Sequence, residues 1–347
     1  MSPLVERGFA NFKANRRGYY SLWVFGTLFV VTLFAEFIAN DKPIVVVMDG
    51  NIWFPVVEFV SERDLGGELD IVVDYTDPYI QDLLESKDAF TLYPIIPYAY
   101  DTVDFHVLSA TPAWPSAQHW LGTDDRGKDT LARLIYGFRL SVIFGLILTA
   151  MAAVIGISVG AVQGYFGGLT DLVGQRLVEI WVGLPTLLIL IIMSTIVERN
   201  LFVMLVLLTL FSWMPLSAVV RAEFLRTRNF DYVRAARSLG VPNPVIMRRH
   251  VLPNAMVATL TNMPFILCTA VTTLTALDFL GLGLPEGAPS LGELMNQGRS
   301  NVEAPFLGLT GFFTLAIMLC LLIFISEGVR DAFDPRRVLA LLASKAA

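Results

Sequence analysis

Residues 122–129, GTDDRGKD, come nearest to a reaction site in this chain. Their glycines and lysine fit G-x-x-x-x-G-K, a loop whose backbone N–H groups and ammonium can cradle a phosphate. The fit fails at the chemistry. Asp129 stands where a hydroxyl is needed to hold magnesium, and Asp124 and Asp125 would repel phosphate. Cys268 and Cys320 both lie in apolar runs, so they suggest neither a disulfide framework nor a metal site. His106, His119 and His250 are widely spaced and show no ligand pattern. No catalytic residue, cofactor or metal is expected, and this chain should carry no covalent chemistry of its own.

The elements around these residues explain why. Of the 347 residues 55% are hydrophobic and only 16% charged, where soluble chains carry roughly 25%. Six apolar runs approach the length that spans a bilayer, near 22–39, 140–160, 177–197, 201–220, 256–280 and 307–325. A short polar link joins the third to the fourth as a tight hairpin. The composition therefore predicts an all-α polytopic membrane protein of six transmembrane helices.

Orientation follows from basic residues. Arg7, Lys13, Arg16 and Arg17 precede the first span against a single Glu6, and 221–254 holds seven arginines against Glu223 and Asp231. Residues 40–120 hold fourteen Asp or Glu and three Lys or Arg. Both termini are then cytoplasmic and the acidic stretch lies outside. The net charge of −6 mostly reports that one segment.

The expected organisation is a cytoplasmic segment over 1–21, a first transmembrane helix over 22–39 and an extracytoplasmic insertion over 40–120. A transmembrane core follows over 121–335, with a cytoplasmic loop at 221–254, and a cytoplasmic tail over 336–347. The first span lacks a small-x-small cleavage site after it and should stay as an anchor. Within the insertion, 44–47 and 71–73 read as short strands and 56–60 as a third. The segment 91–100, TLYPIIPYAY, reads as extended. It offers tyrosine faces to a peptide or a binding protein, or packs its aromatics against lipid headgroups.

The most ordered pattern lies at 231–254, DYVRAARSLGVPNPVIMRRHVLPN. Tyr232, Ala235, Ala236 and Leu239 recur at i, i+3, i+4 and i+7 and share a helix face, with Arg234 and Arg237 opposite. Gly240 suits a left-handed cap and Pro242 forbids continuation. Asn243 can cap a second helix that has Pro244 in its first turn. Leu252-Pro253-Asn254 should break the chain again. Two short basic helices joined by a hard stop, between two spans, make a cytoplasmic docking knob.

Other patterns concern packing and passage. Gly145, Thr149, Ala153, Gly156 and Gly160 form a small-residue stripe for close helix contact. Leu131, Leu134, Ile135 and Phe138 suggest an amphipathic elbow at the membrane surface. Asp171, Arg176 and Glu179 enter the third span, where charges normally reach the aqueous interface, and Pro185 lies just inside it. Trp181 and Trp213 fit interfacial anchors or a path lining equally. Thr259, Asn262, Ile266, Thr269 and Thr273 give the fifth span a polar face, toward an aqueous path, a partner subunit or its own backbone. After Asp278, the Gly- and Pro-rich 279–298 cannot continue the helix and falls at the outer mouth. Asp278 and Glu286 there could meet a peptide N-terminus or stay solvated.

The docking knob resembles the "EAA" loop of ABC importer permeases, with Ala235, Ala236, Gly240 and Leu252-Pro253 matching in type and spacing. One departure is Arg234, which stands where the family has its namesake glutamate. Residues 119–141 and 279–298 resemble stretches of the C-type permeases of oligopeptide and dipeptide importers, so the likeness covers roughly 120–335. The enlarged insertion looks most like the Yej-type branch, whose cargo includes the peptide-nucleotide microcin C. The resemblance implies a type I importer permease fold and an inner-membrane heterodimer with a B-type permease. It also implies ABC ATPase subunits below, an extracytoplasmic peptide-binding protein above, oligopeptide cargo and no nucleic acid. In that frame the ATPase-coupling residues are Tyr232, Arg234, Ala235, Ala236, Arg237, Leu239, Gly240, Leu252 and Pro253. The translocation path takes Asn262, Thr269 and Thr273, and the outer gate Asp278, Gly281, Gly283 and Glu286. A membrane-embedded enzyme would need a convergent His, Asp or Glu pair in a span core, and a passive channel would have no use for the knob.

Overall fold

The computed structural model describes residues 3–105 and 111–333, so His106 and the expected tail at 336–347 lie outside the described residues. The chain opens with α1 (Pro3–Ala14), α2 (Arg16–Leu33) and the short α3 (Ala35–Ile38). An insertion follows with β1 (Val45–Met48), β2 (Asn51–Trp53), α4 (Pro78–Ser86) and β3 (Phe90–Leu92). A run of helices follows. It comprises α5 (Thr130–Phe166), α6 (Gly168–Val182), α7 (Thr186–Ile196), α8 (Leu201–Ser212), α9 (Met214–Thr227), α10 (Asp231–Ser238) and α11 (Asn243–Ile246). A π-helical turn (Met247–Val251), α12 (Leu252–Phe279), α13 (Leu291–Ser300) and α14 (Pro305–Phe333) complete it.

Among the described residues four continuous stretches are long and apolar enough to cross a membrane: Thr130–Phe166, Leu201–Thr227, Asn243–Phe279 and Pro305–Phe333. A fifth is possible if α6 and α7, bent by 70°, form one broken span. The bend falls at Gly183-Leu184-Pro185, where proline pushes its predecessor out of the helical region. The third expected span is thus broken in its middle. The first expected span, 22–39, is helical through α2 and α3. It is interrupted at Phe34, and Arg16 and Arg17 head it.

Two expectations about helix boundaries fail here. Residues 131–138 form no separate surface elbow: α5 starts at Thr130 and runs 37 residues without a break. Leu134 and Phe138 are buried against α2, α12 and α13, while Leu131 and Ile135 pack toward the insertion. Nor does Leu252-Pro253-Asn254 break the chain. In an α-helix the Pro253 ring would crowd the carbonyl of Arg249, four residues back. The π turn relieves this by widening the helix, with the Leu252 N–H reaching back five residues to the Met247 carbonyl. The second docking helix therefore flows into α12.

The small-residue stripe works as packing. A Cβ at Gly160 would lie 2.5 Å from the Ser217 carbonyl oxygen, and Gly156 and Gly164 meet the same helix equally closely. This run lets α5 lie backbone to backbone on α9. Gly145 turns instead toward Leu267 and Val271 of α12.

The insertion is built on the antiparallel order β2-β1-β3, with Val46 opposite Trp53 on one side and Thr91 on the other. Val46, Met48, Val60, Leu65, Val73, Tyr75, Ile80 and Leu84 form its own small core. Of the expected strands, 44–47 is realised as β1. Near 71–73 there is only a bridge from Val72 to Ser61, and 56–60 is turn and irregular chain. Helix α4 was not anticipated, although Asp77 caps it by accepting from the Tyr79 N–H and Pro78 occupies its first turn. Residues 91–100 begin in β3 and continue as irregular chain with a bridge from Ile96 to Ala39, and Tyr100 packs on Tyr136 of α5 at 5.0 Å.

Candidate functional site

Helix α10 ends as a glycine-capped helix should. Gly240 has φ +75°, its N–H bonds to the Arg237 carbonyl and the Val241 N–H to the Ala236 carbonyl. This is a Schellman closure, and Val241 packs beside Ala236 as such closures favour. Helix α11 begins at Asn243 with Pro242 as its cap residue, so Asn243 does not cap it by side chain. The Asn243 carboxamide instead accepts from the Tyr165 hydroxyl at 2.7 Å, and the Arg237 guanidinium lies 5.4 Å from the Tyr165 ring. The C-terminal end of α5 therefore braces both sides of the turn.

The faces of α10 differ from the heptad-like reading. Val233 and Ala236 are its buried residues, set among Val220 and Phe224 of α9, Ile246, Val251 and Ala255. Ala235 and Leu239 look outward, and Leu239 is 83% exposed. Tyr232 is half exposed. Its hydroxyl donates to the His250 carbonyl at 3.3 Å and accepts from Asn254 at 2.7 Å, tying α10 to the π turn and α12. Arg234 is exposed, Leu252 packs partly into the cluster and Pro253 is exposed. The result is a short helix held rigidly from behind, with Arg234, Ala235 and Leu239 free to meet another surface.

At the other end of α5, residues 122–129 show what the phosphate-like motif does. Asp124 is fully buried and accepts the Arg126 N–H at 2.9 Å and the Lys128 N–H at 2.8 Å. It also pairs with the fully buried Arg133 guanidinium. The backbone donors of the loop thus close on the chain's own carboxylate. Asp129 caps α5 through the Ala132 N–H at 2.7 Å and accepts from His119 Nδ1 at 2.9 Å. Burial disfavours the charged imidazole. Hydrogen bonds to Asp129 and Asp104 outweigh that and raise its pKa above the ordinary value. Arg133 continues to Glu293 of α13 at 3.1 Å and to the Ala288 carbonyl at 3.2 Å.

The outer-gate residues divide. Asp278 is buried, accepting the Leu284 N–H at 2.7 Å and the Ser290 hydroxyl at 2.5 Å. It therefore organises the loop behind it. Gly283 sits against this carboxylate too closely for any side chain, and Gly281 turns the chain at φ +70°. Glu286 is exposed, 3.6 Å from Arg126, a separation worth little in solvent.

The polar face of α12 spreads from buried to open. Thr259 is buried, Asn262 and Thr273 are half-buried and Thr269 is exposed. Thr259, Asn262 and Thr269 bond the carbonyls of Ala255, Ala258 and Phe265 on their own helix. Trp181 and Trp213 both donate to the Leu210 carbonyl, at 3.0 and 2.9 Å. Asp171 and Arg221 form a two-pronged pair joining α6 to α9, with one contact at 2.7 Å.

Comparison with known proteins decides the family. Residues 152–338 match the family described as binding-protein-dependent transport system inner membrane component. The chain belongs to that family. The permease is 53% identical over 337 residues to the inner membrane ABC transporter permease protein YejE of Escherichia coli, covering 97% of this chain and 98% of that one. It is 51% identical over 360 residues to the peptidoglycan transport system permease protein YejE of Agrobacterium fabrum, covering 97% and 94%. To the oligopeptide transport system permease protein OppC of Haemophilus influenzae it is 32% identical over 241 residues, covering 69% and 77%. It is thus a multi-pass inner-membrane component of an ABC importer, a transport subunit and not an enzyme. Such a permease works with ATPase subunits, a partner permease and a substrate-binding protein.

Sequence reasoning missed Arg133, Glu293 and the role of Asp124. A buried arginine nine residues after an aspartate leaves no periodic trace. The available signal was an arginine in the first turn of an apolar helix, where the helix dipole disfavours a cation and a carboxylate partner is required.

Proposed function

We propose that the permease is one of two membrane subunits of a peptide importer, and that α10 seats in a groove of the ATPase. The observation carrying this is the geometry of α10: Leu239, 83% exposed at its cap, and the exposed Arg234 belong to a helix whose Val233 and Ala236 are locked into the cluster with α9 and α12. An exposed leucine on a braced, capped helix suits transmission of movement between subunits. In this reading the chain has six spans with both termini and α10 in the cytoplasm, and 40–120 is extracytoplasmic. The acidic, tyrosine-bearing insertion then meets the binding protein or guides peptide inward. ATP-driven closure moves α10, and rigid-body rocking of the permease pair switches a central cavity from outside-open to inside-open. Oligopeptides are the proposed cargo, including microcin C-like peptide-nucleotides. The name of the Agrobacterium relative, a peptidoglycan transport system permease, adds peptidoglycan to the proposed cargo.

One labelling experiment tests both orientation and coupling. With Cys268 and Cys320 changed to alanine, single cysteines replace the exposed Glu58, Ser86 and Leu239. Glu58→Cys and Ser86→Cys should react with an impermeant maleimide in intact cells, and Leu239→Cys only after lysis. Bound ATPase should then protect Leu239→Cys. Labelling of Leu239→Cys from outside would invert the topology, and equal labelling with and without ATPase would remove α10 from the interface.

The path assignment has its own test. Thr269 is exposed and Thr273 half-buried on α12. If both line the route, Thr269→Val/Thr273→Val should cut peptide uptake several-fold while the complex purifies intact, because valine keeps the β-branched shape of threonine and removes only the hydroxyl. Loss of assembly instead would make this face a subunit contact.

A further inference from the structure

Where α5 and α9 end and α10 folds back, the chain forms a cavity of about 620 Å³ that the coupling reading leaves unused. Tyr165 and Phe166 line it from the last turn of α5, and Arg228 and Asn229 from the residues just after α9. Arg237 enters from the last turn of α10, and Asn243 from the start of α11. No carboxylate lines it. The volume lies within the usual range of small-ligand sites, roughly 300–1,000 Å³.

Its two cations are only partly engaged. Arg228 is half-buried, and its Nη1 donates to the Gly164 and Tyr165 carbonyls at 3.4 and 3.3 Å, which answers the negative end of α5. Arg237 has less. It is exposed, and among the described residues its guanidinium meets only the Tyr165 ring, at 5.4 Å. The Tyr165 hydroxyl occupies the Asn243 carboxamide oxygen and leaves the Asn243 NH₂ group as a donor. Asp171 is already held by Arg221 in a two-pronged pair. Two guanidiniums and an amide donor around an acid-free cavity suit an anion with several oxygens, above all a phosphate.

Position says which phosphate. Thr130–Phe166 and Leu201–Thr227 are both long and apolar enough to cross a membrane, so the cavity lies where two spans leave the bilayer. Phe166 is half exposed at its edge, and Val162, four residues earlier, is its neighbour on the same face of α5. Val162 lines an apolar groove of about 720 Å³ between α5, α6 and Trp213. A soluble phosphate has no use for that groove. A phospholipid has a part for each: a charged head and an acyl chain.

We propose that the cavity binds the headgroup phosphate of an anionic phospholipid, with an acyl chain in the neighbouring groove. Arg228 and Arg237 pair with the phosphate oxygens and Asn243 donates to them, as basic pockets between spans do for such headgroups. A choline headgroup fits poorly, because no carboxylate is present to receive its cation. Only the choice of the cytoplasmic leaflet rests on the orientation proposed above. The lipid would then fasten the α9–α10 corner, behind the docking surface, to the bilayer.

The test is native mass spectrometry of the full chain in detergent, titrated with phosphatidylglycerol or with phosphatidylcholine of the same acyl chains. Phosphatidylglycerol should bind roughly tenfold more tightly, a difference of about 1.4 kcal/mol. Arg237→Gln, an exposed change, and Arg228→Gln should each bring that preference below about threefold. Arg237→Gln should do so at an unchanged melting temperature. Arg234→Gln removes the same charge from the same helix outside the cavity and should keep the preference. Glycerol phosphate in large excess should not displace the lipid. Equal binding of the two lipids overturns the proposal, and so does an equal loss in Arg234→Gln, which would make the effect diffuse surface charge. Displacement by glycerol phosphate would overturn the lipid in favour of a free anion. If the two lipids bind equally while Arg237→Gln loses the ATPase on pull-down, the cavity serves a carboxylate of the ATPase instead. The maleimide labelling above tests orientation separately, and an inverted topology would move a lipid site to the other leaflet without removing it.

Discussion

Replacing Gly240 with valine should reduce peptide uptake to near background while leaving the permease at normal levels in the membrane. Gly240 sits at φ +75° in the Schellman turn that ends α10. Residues with a Cβ enter that region at a cost of roughly 1–2 kcal/mol, and β-branching adds crowding. A side chain there meets nothing within 4 Å, so the cost is backbone strain alone and assembly of the spans should survive it. The strain is relieved by turning the backbone away from φ > 0. That move breaks the two closing bonds to Arg237 and Ala236 and swings Leu239 and Arg234 off the line set by Val233. ATPase recovery on pull-down should fall with uptake, and Gly240→Ala should be milder. Wild-type transport by Gly240→Val would mean that the cap does not fix the docking geometry.

The contrast between what was legible at this loop and what was not is physical. Gly240 and Pro242 act within a few residues, so their spacing alone announces the end of α10. The apolar row from Tyr232 to Leu239 was equally visible, but an i, i+3, i+4, i+7 pattern cannot say which side the rest of the chain covers. Packing chose Val233 and Ala236. Pro253 reads as a break because proline usually is one, and only a π turn, which has no sequence period, lets it pass. Pro185 was noticed, yet its effect depends on the flanking Gly183 and on how little of α6 is buried. In the insertion, β2 and β3 are three residues each, too short to show alternation. Gly156 and Gly160 of α5 were legible because close helix packing has a fixed four-residue spacing, which the reading did not carry on to Gly164. The ion pairs at the start of the same helix join residues from three segments and have no spacing at all.

Those ion pairs carry the largest stability effect expected in the molecule. Arg133 is fully buried on the first turn of α5, and it links Asp124 of the preceding loop to Glu293 of α13. Arg133→Met keeps the unbranched apolar stem of the side chain but leaves the Asp124 carboxylate buried without its countercharge. Removing one partner of a buried pair typically costs about 3–5 kcal/mol. The two backbone bonds that Asp124 accepts from Arg126 and Lys128 soften that loss, since they favour a carboxylate or an amide oxygen alike. Thermal unfolding of the detergent-solubilised chain should therefore show a large fall for Arg133→Met. It should show a smaller fall for Arg133→Met/Asp124→Asn, where charge is removed from both sides and an oxygen still receives the two N–H groups. The order of the two variants is the decisive reading, because a double change less damaging than one of its parts requires direct coupling. If the double variant melts lower than Arg133→Met by the full cost of Asp124→Asn alone, the two residues act independently. The ion pairs would then not be what fastens the 122–129 loop to α5 and α13.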